Sequence, residues 1–117
     1  MYIVNENDRE YRHGNHGPKY LEKGPRMNFG LVRLLPGEEV SGHMHQHMQE
    51  GFYVMEGTVT MLIEGEKAVL NPGDYIHIEP GEGHIICNHG DSVVKMVVTA
   101  APFVEGDKVM LPKGQEG

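Results

Sequence analysis

Residues 42–50 read Gly-His-Met-His-Gln-His-Met-Gln-Glu and put three histidines within five positions. On an extended chain the side-chain period is two, so His43 and His45 point the same way and offer two imidazoles to one ion. Glu50 follows five residues after His45, near enough for a brief turn to return its carboxylate to the same centre. Imidazole nitrogen beside carboxylate oxygen is a donor mix that suits one divalent transition metal: Mn, Fe, Ni, Co or Zn. On these nine residues alone, the alternative is a solvent-facing histidine-rich loop that takes up metal adventitiously. A further imidazole, His84, follows the turn Pro80-Gly81-Glu82-Gly83 and could supply a third nitrogen from a neighbouring strand.

Proton transfer beside such a centre needs groups that titrate in a useful range, and His47, His77 and Glu79 are the candidates for general acid or base. His47 falls between His45 and Glu50, where a solvated side chain is the simpler reading. His77 alternates with Ile76 and Ile78 and fits either face of its strand. Arg33, on a run with Phe29 and Leu31, is a candidate partner for a substrate carboxylate. The plainer alternative is a surface arginine whose stem covers apolar neighbours. Cys87, beside Ile85 and Ile86, reads as an inert core thiol.

These side chains need a frame, and 117 residues leave room for one domain with one core. Sixteen Gly and seven Pro favour many short strands over a few long helices. Turn signals recur at Pro36-Gly37, Gly51, Gly57, Gly65, Asn71-Pro72-Gly73-Asp74, Pro80-Gly81 and His89-Gly90-Asp91. Between them lie β-favouring runs at 27–35, 52–55, 58–63, 68–70, 75–78, 85–87 and 93–98, none of helix length. The spacing predicts an all-β sandwich or barrel over residues 27–100. Residues 1–26 lack a sustained period and are expected to form an irregular N-terminal arm, and residues 101–117 a C-terminal tail. The run 93–98 is apolar on both faces apart from Lys95, which suits a strand covered on two sides and predicts a homodimer.

Seventeen acidic against ten basic residues give a net charge of -7, so no basic field exists for a nucleic acid or an anionic membrane, and neither is an expected partner. The start of the chain has no basic-then-apolar leader, and no run approaches the ~20 apolar residues that span a bilayer. A single cysteine excludes an intrachain disulfide. Together these features predict a cytoplasmic protein.

The spacing Gly37, five residues, His43, one, His45, four, Glu50, six, Gly57 resembles the first cupin motif at every defined position. The second motif follows as Gly73, five residues, Glu79, one, Gly81, two, His84, three, Asn88. Its single departure is Glu79, where the motif carries Pro; Pro80 stands one position later. The resemblance runs from Gly37 to Asn88, nearly half the chain.

That resemblance implies the conserved cupin barrel, a jelly-roll-like double-stranded β-helix, usually dimeric. It also implies His43, His45, Glu50 and His84 as ligands of one divalent metal inside the barrel. Four protein ligands on an octahedral ion leave two adjacent positions for a small bidentate anion, which the ion polarises as a Lewis acid. The implied function is conversion of a small oxygen-rich metabolite, a hydroxy acid, keto acid or sugar acid, by an isomerase, lyase or decarboxylase, or dioxygenase reaction. The alternative is a metal-containing module that binds or senses a small ligand without converting it. Among the precedents, oxalate decarboxylases carry Arg three residues before the first motif histidine, where this chain has Val40. Cupins that open unsaturated uronates tend to use Gln where this chain has Glu50.

Overall fold

A computed structural model describes residues 1–112. Its strands are β1 Gly17–Lys23, β2 Asn28–Leu34, β3 Glu39–His45, β4 Gln49–Glu56, β5 Val59–Ile63, β6 Glu66–Leu70, β7 Tyr75–Ile78, β8 His84–Cys87, β9 Val94–Ala101 and β10 Lys108–Met110. Two five-stranded sheets result, ordered β1-β2-β9-β4-β7 and β10-β3-β8-β5-β6. All pairings between these strands are antiparallel. Each sheet interleaves early and late strands, which is the double-stranded β-helix that the motifs imply. Among the described residues there is no α-helix, and no helix long and apolar enough to cross a membrane.

Turn chemistry sets the local joins. β5 and β6 are linked by Glu64-Gly65, both at positive φ (50° and 79°), with Ile63 opposite Glu66. This is the two-residue hairpin whose twist matches that of its strands. At the β6–β7 corner the Asp74 carboxylate accepts the Asn71 N–H at 2.8 Å while the Asn71 carbonyl accepts the Asp74 N–H at 2.9 Å.

One apolar cluster fills the space between the sheets. β2, β4 and β9 supply Leu34, Phe52, Val54, Met96 and Val98, and β5 and β8 supply Val59, Met61 and Ile86 from the facing side. Val54, Val59, Met61, Val94 and Met96 have no accessible surface. Burial of each such side chain stabilises the fold by roughly 1.5–3 kcal/mol. β9 is the middle strand of its sheet, and its burial alternates strictly along Val94–Ala101. Val94, Met96, Val98 and Ala100 face the core, while Lys95, Val97 and Thr99 are half-buried on the outer face.

Two elements differ from the pattern-based expectation. Within the arm expected to be irregular, residues 17–23 form β1 and pair with β2 from Gly17 opposite Arg33 to Lys23 opposite Asn28. The segment Gly-Pro-Lys-Tyr-Leu-Glu-Lys has no alternation that announces a strand, and its extended form comes from the edge that β2 offers. Irregular backbone in this arm is left at residues 1–16, apart from a 3-10 turn at Glu6–Asp8, and at residues 24–26 before β2. In the tail, β10 pairs with β3, with Lys108 opposite His45 and Met110 opposite His43. Residues 113–117 of the expected tail lie outside the described residues.

Candidate metal centre

His43 and His45 lie at the end of β3, Glu50 near the start of β4, and His84 opens β8. His43 stands opposite His84 in the β3–β8 ladder, with ring centroids 4.5 Å apart. β4 belongs to the facing sheet, so Glu50 approaches from the other wall of the barrel: its Oε1 is 2.9 Å from His84 Nε2 and 3.3 Å from His45 Nε2. His43, Glu50 and His84 each offer a ligand atom, and these atoms lie within 4.8 Å of one another. His45 sits further out, its ring centroid 5.4 Å from that of His43 and 6.4 Å from that of His84. His84 is 1% exposed, His43 5% and Glu50 8%.

Backbone carbonyls orient two of the rings. His43 Nδ1 donates to the Ser41 carbonyl at 2.9 Å, and His84 Nδ1 donates to the Glu82 carbonyl at 3.0 Å. A carbonyl only accepts, so each Nδ1 carries the proton and each Nε2 is the atom left for the centre. The turn before His84 is tied to His45 itself, the Gly81 N–H donating to the His45 carbonyl at 2.7 Å. Glu79, at the motif's Pro position, donates its N–H to Glu82 Oε1 at 2.8 Å, a bond that Pro could not make. Asn88 is buried, and its side chain donates to the Leu34 and Ser92 carbonyls and accepts the Gly90 N–H, so it braces the turn after β8.

The electrostatics fit a cation. Burial alone would raise the Glu50 carboxyl, but hydrogen bonds from His45 and His84 outweigh it and hold the group at about 2. Burial pulls His84 down, while its bonds to Glu50 and to the Glu82 carbonyl overcome that and set the ring above its ordinary value. Burial dominates at His43 and lowers it to about 4, so the ring is a neutral nitrogen donor near pH 7. His45 Nδ1 is buried without a hydrogen-bond partner among the described residues, 4.0 Å from Asp107 Oδ2. An anionic oxygen, a neutral nitrogen at His43 and an unsatisfied buried imidazole atom at His45 form a donor set suited to a first-row divalent metal.

The cluster opens on a cavity of about 200 Å³. Val32, Val40, Phe52, Ile86 and Val98 form its apolar wall, and Tyr20, Asn28, Arg12 and Lys108 add polar groups. Burial, then the nearby Glu50 charge, raises the Tyr20 hydroxyl above its ordinary value, so it holds its proton at neutral pH.

The other sequence candidates stand outside this cavity. Val32 faces it and Arg33 the opposite side, where the Arg33 guanidinium donates to the Asn15 carbonyl at 2.5 Å. His77 and Glu79 pair with each other at 2.9 Å, both well exposed. His47 is largely exposed, its Nδ1 donating to Asp107 at 2.7 Å. Cys87 is buried as expected, and its thiol donates to Glu39 at 3.3 Å. Sequence reasoning missed Arg12, Tyr20, Lys108 and Asp107. All four lie in the presumed arm or tail, and no spacing marked them.

Known proteins share this architecture. A conserved protein with a double-stranded β-helix domain from Klebsiella pneumoniae superposes with a TM-score of 0.81 at 22% identity, over 97% of this chain and 99% of that one. A recombinant oxalate oxidase in complex with glycolate gives a TM-score of 0.64 at 25% identity, over 72% of this chain and 45% of that one. A putative mannose-1-phosphate guanylyltransferase of Vibrio cholerae is 27% identical over 93% of this chain and 25% of its own length. The chain spans a quarter or less of the first curated relatives it matches. The model of the family described as cupin domain matches residues 30–100, well over half of the chain, and with this barrel and these histidines on the page the chain belongs to the cupin domain family.

Proposed function

We propose that the chain binds one divalent transition metal through His43, His45, Glu50 and His84 and converts a small oxygen-rich metabolite, a hydroxy acid, keto acid or sugar acid, in the adjoining cavity. The observation that carries this reading is the approach of buried Glu50 to His84 and His45 across the barrel, with carbonyl-oriented imidazoles beside it. The glycolate held by the oxalate oxidase relative supports the ligand class. When bound, the metal supplies a Lewis acid that polarises ligand oxygens. The chain's own residues do the rest. Ser41 and Glu82 hold the imidazoles in the donor tautomer, Val40, Phe52 and Ile86 exclude water, and Tyr20 keeps a proton available at its hydroxyl.

A second reading, a module that binds such a ligand without converting it, draws support from the position of His47, His77 and Arg33 outside the cavity. Elemental analysis of the purified protein, followed by product analysis of the metal-loaded chain with hydroxy, keto and sugar acids, separates the two. Product that disappears on chelation supports the enzyme. Ligand-dependent stabilisation with no product favours the binding module, and absence of any tightly held first-row metal sinks both.

The reading includes a cytoplasmic homodimer. Tyr53, Met55 and Tyr75, exposed on adjacent strands β4 and β7, supply an apolar face for the contact, and light scattering of the purified chain tests the mass.

A further inference from the structure

We propose that the cavity is built for a dicarboxylic acid, whose second carboxylate is held by Arg12 and Lys108. The inference rests on the reading above, in which the first carboxylate meets the His and Glu cluster. Acidic residues outnumber basic ones by seventeen to ten, so cations are scarce in this chain, yet two line the cavity that holds the cluster. They come from separate parts of the fold. Arg12 lies in the turn before β1, its backbone N–H donating to the Pro18 carbonyl, and Lys108 opens β10 opposite His45.

Neither side chain forms an ion pair among the described residues. Lys19 and Lys95, by contrast, share Glu6, and Arg33 is bonded to a carbonyl. Both side chains border the cavity that His43, His45 and Glu50 also line. A divalent metal with one carboxylate ligand carries net +1, which one acidic group of a ligand neutralises. Arg12 and Lys108 leave further positive charge at the same cavity, and a monoacid would not meet it. The volume admits such a ligand, because about 200 Å³ is the liquid volume of about seven waters.

The test titrates the Mn(II)-loaded full chain calorimetrically with malate and with 2-hydroxybutyrate, which share a hydroxy-acid head and four carbons and differ in the second carboxylate. Malate is expected to bind roughly tenfold more tightly or better, as one charge-assisted contact gives. Arg12→Gln and Lys108→Gln should each remove most of that preference, lowering malate affinity more than 2-hydroxybutyrate affinity. Higher ionic strength should weaken malate more than 2-hydroxybutyrate. Equal affinity for the two acids, or a preference that survives both substitutions, overturns this inference and leaves the proposed function standing. Tighter binding of 2-phosphoglycolate than of malate overturns the dicarboxylate assignment in favour of a phosphate. Failure of the chain to hold Mn(II), or to bind either acid when loaded, overturns the underlying reading and this inference with it.

Discussion

Asp107 holds His47 twice: its carboxylate accepts the His47 backbone N–H at 3.0 Å and the ring Nδ1–H at 2.7 Å. The same buried group accepts the Met48 N–H at 2.8 Å, so a residue from the end of the chain fixes the turn that separates His45 from Glu50. Burial tends to raise the Asp107 carboxyl, but the two backbone donors and the imidazole outweigh it and hold its pKa below the ordinary value. Asp107→Ala leaves buried backbone donors unpaired and is expected to cost about 3 kcal/mol, while the exposed ring of His47 makes His47→Ala cost under about 1 kcal/mol. Urea denaturation of the two variants checks the order, and equal costs would deny Asp107 its role as the clamp.

Metal binding should register as stability. At a free metal concentration of about 100 Kd the folded chain gains about 2.7 kcal/mol, seen as a rise in Tm. Glu50→Gln removes the charge that faces the imidazoles, and His84→Ala removes the most deeply buried of them. Scanning calorimetry with and without Mn(II) or Ni(II) should show the rise in the parent chain and little in either variant. An undiminished rise in His84→Ala would remove that residue from the site.

Low pH should weaken the metal-free protein through His43. The folded ring titrates at about 4 and an unfolded imidazole near 6.5, so between those values the unfolded chain binds the extra proton and stability falls as pH falls. Two neighbours act with the opposite sign or at lower pH. The raised His84 adds stability below pH 6.5 that is lost as pH climbs through its folded value, and the lowered Glu50 adds stability that is lost only between about 4.5 and 2. From pH 7 to 5 the His43 contribution is expected to lose about 2 kcal/mol. Urea midpoints at the two pH values should differ less in His43→Gln than in the parent chain, and an unchanged difference would rule out the ring as the cause.

Burial, with help from the hydrogen bond to Glu39, pushes the Cys87 thiol up to about 11. Iodoacetamide at pH 8 should therefore leave Cys87 unmodified in the native chain and alkylate it readily in urea, as mass spectrometry reads directly. Rapid native alkylation would mean that β8 opens to solvent.

Gly57, the closing glycine of the first motif, has φ +79°, and an added Cβ would lie 2.5 Å from the Val93 carbonyl oxygen and 3.0 Å from Val94 Cγ2. Gly57→Ala combines left-handed strain with a backbone clash and is expected to cost about 2–4 kcal/mol. Gly65 shares the positive φ but has open space around it, so Gly65→Ala should cost about 1 kcal/mol. Thermal denaturation of the pair separates crowding from strain.

Short-range physics made much of this molecule legible in the residues themselves. Turn formers at Pro36-Gly37, Gly65 and Asn71–Asp74 mark the joins, β-favouring runs mark most strands, and the spacing from Gly37 to Asn88 names the family. Each is encoded within a few residues, because turn conformation and side-chain alternation are local properties. The tertiary structure alone decided which faces meet. Only the opposition of two sheets brings Glu50 on β4 against His84 on β8, and only the register of β2 turns Val32 inward and Arg33 away. Only the pairing of β1 with β2 carries Tyr20 to the barrel, and only the long-range pairing of β10 with β3 carries Lys108 and the adjoining Asp107 there. Contacts between residues as much as 89 positions apart, such as Lys95 and Glu6, depend on which segments close on one another, and a one-residue slip in any pairing would reverse every face.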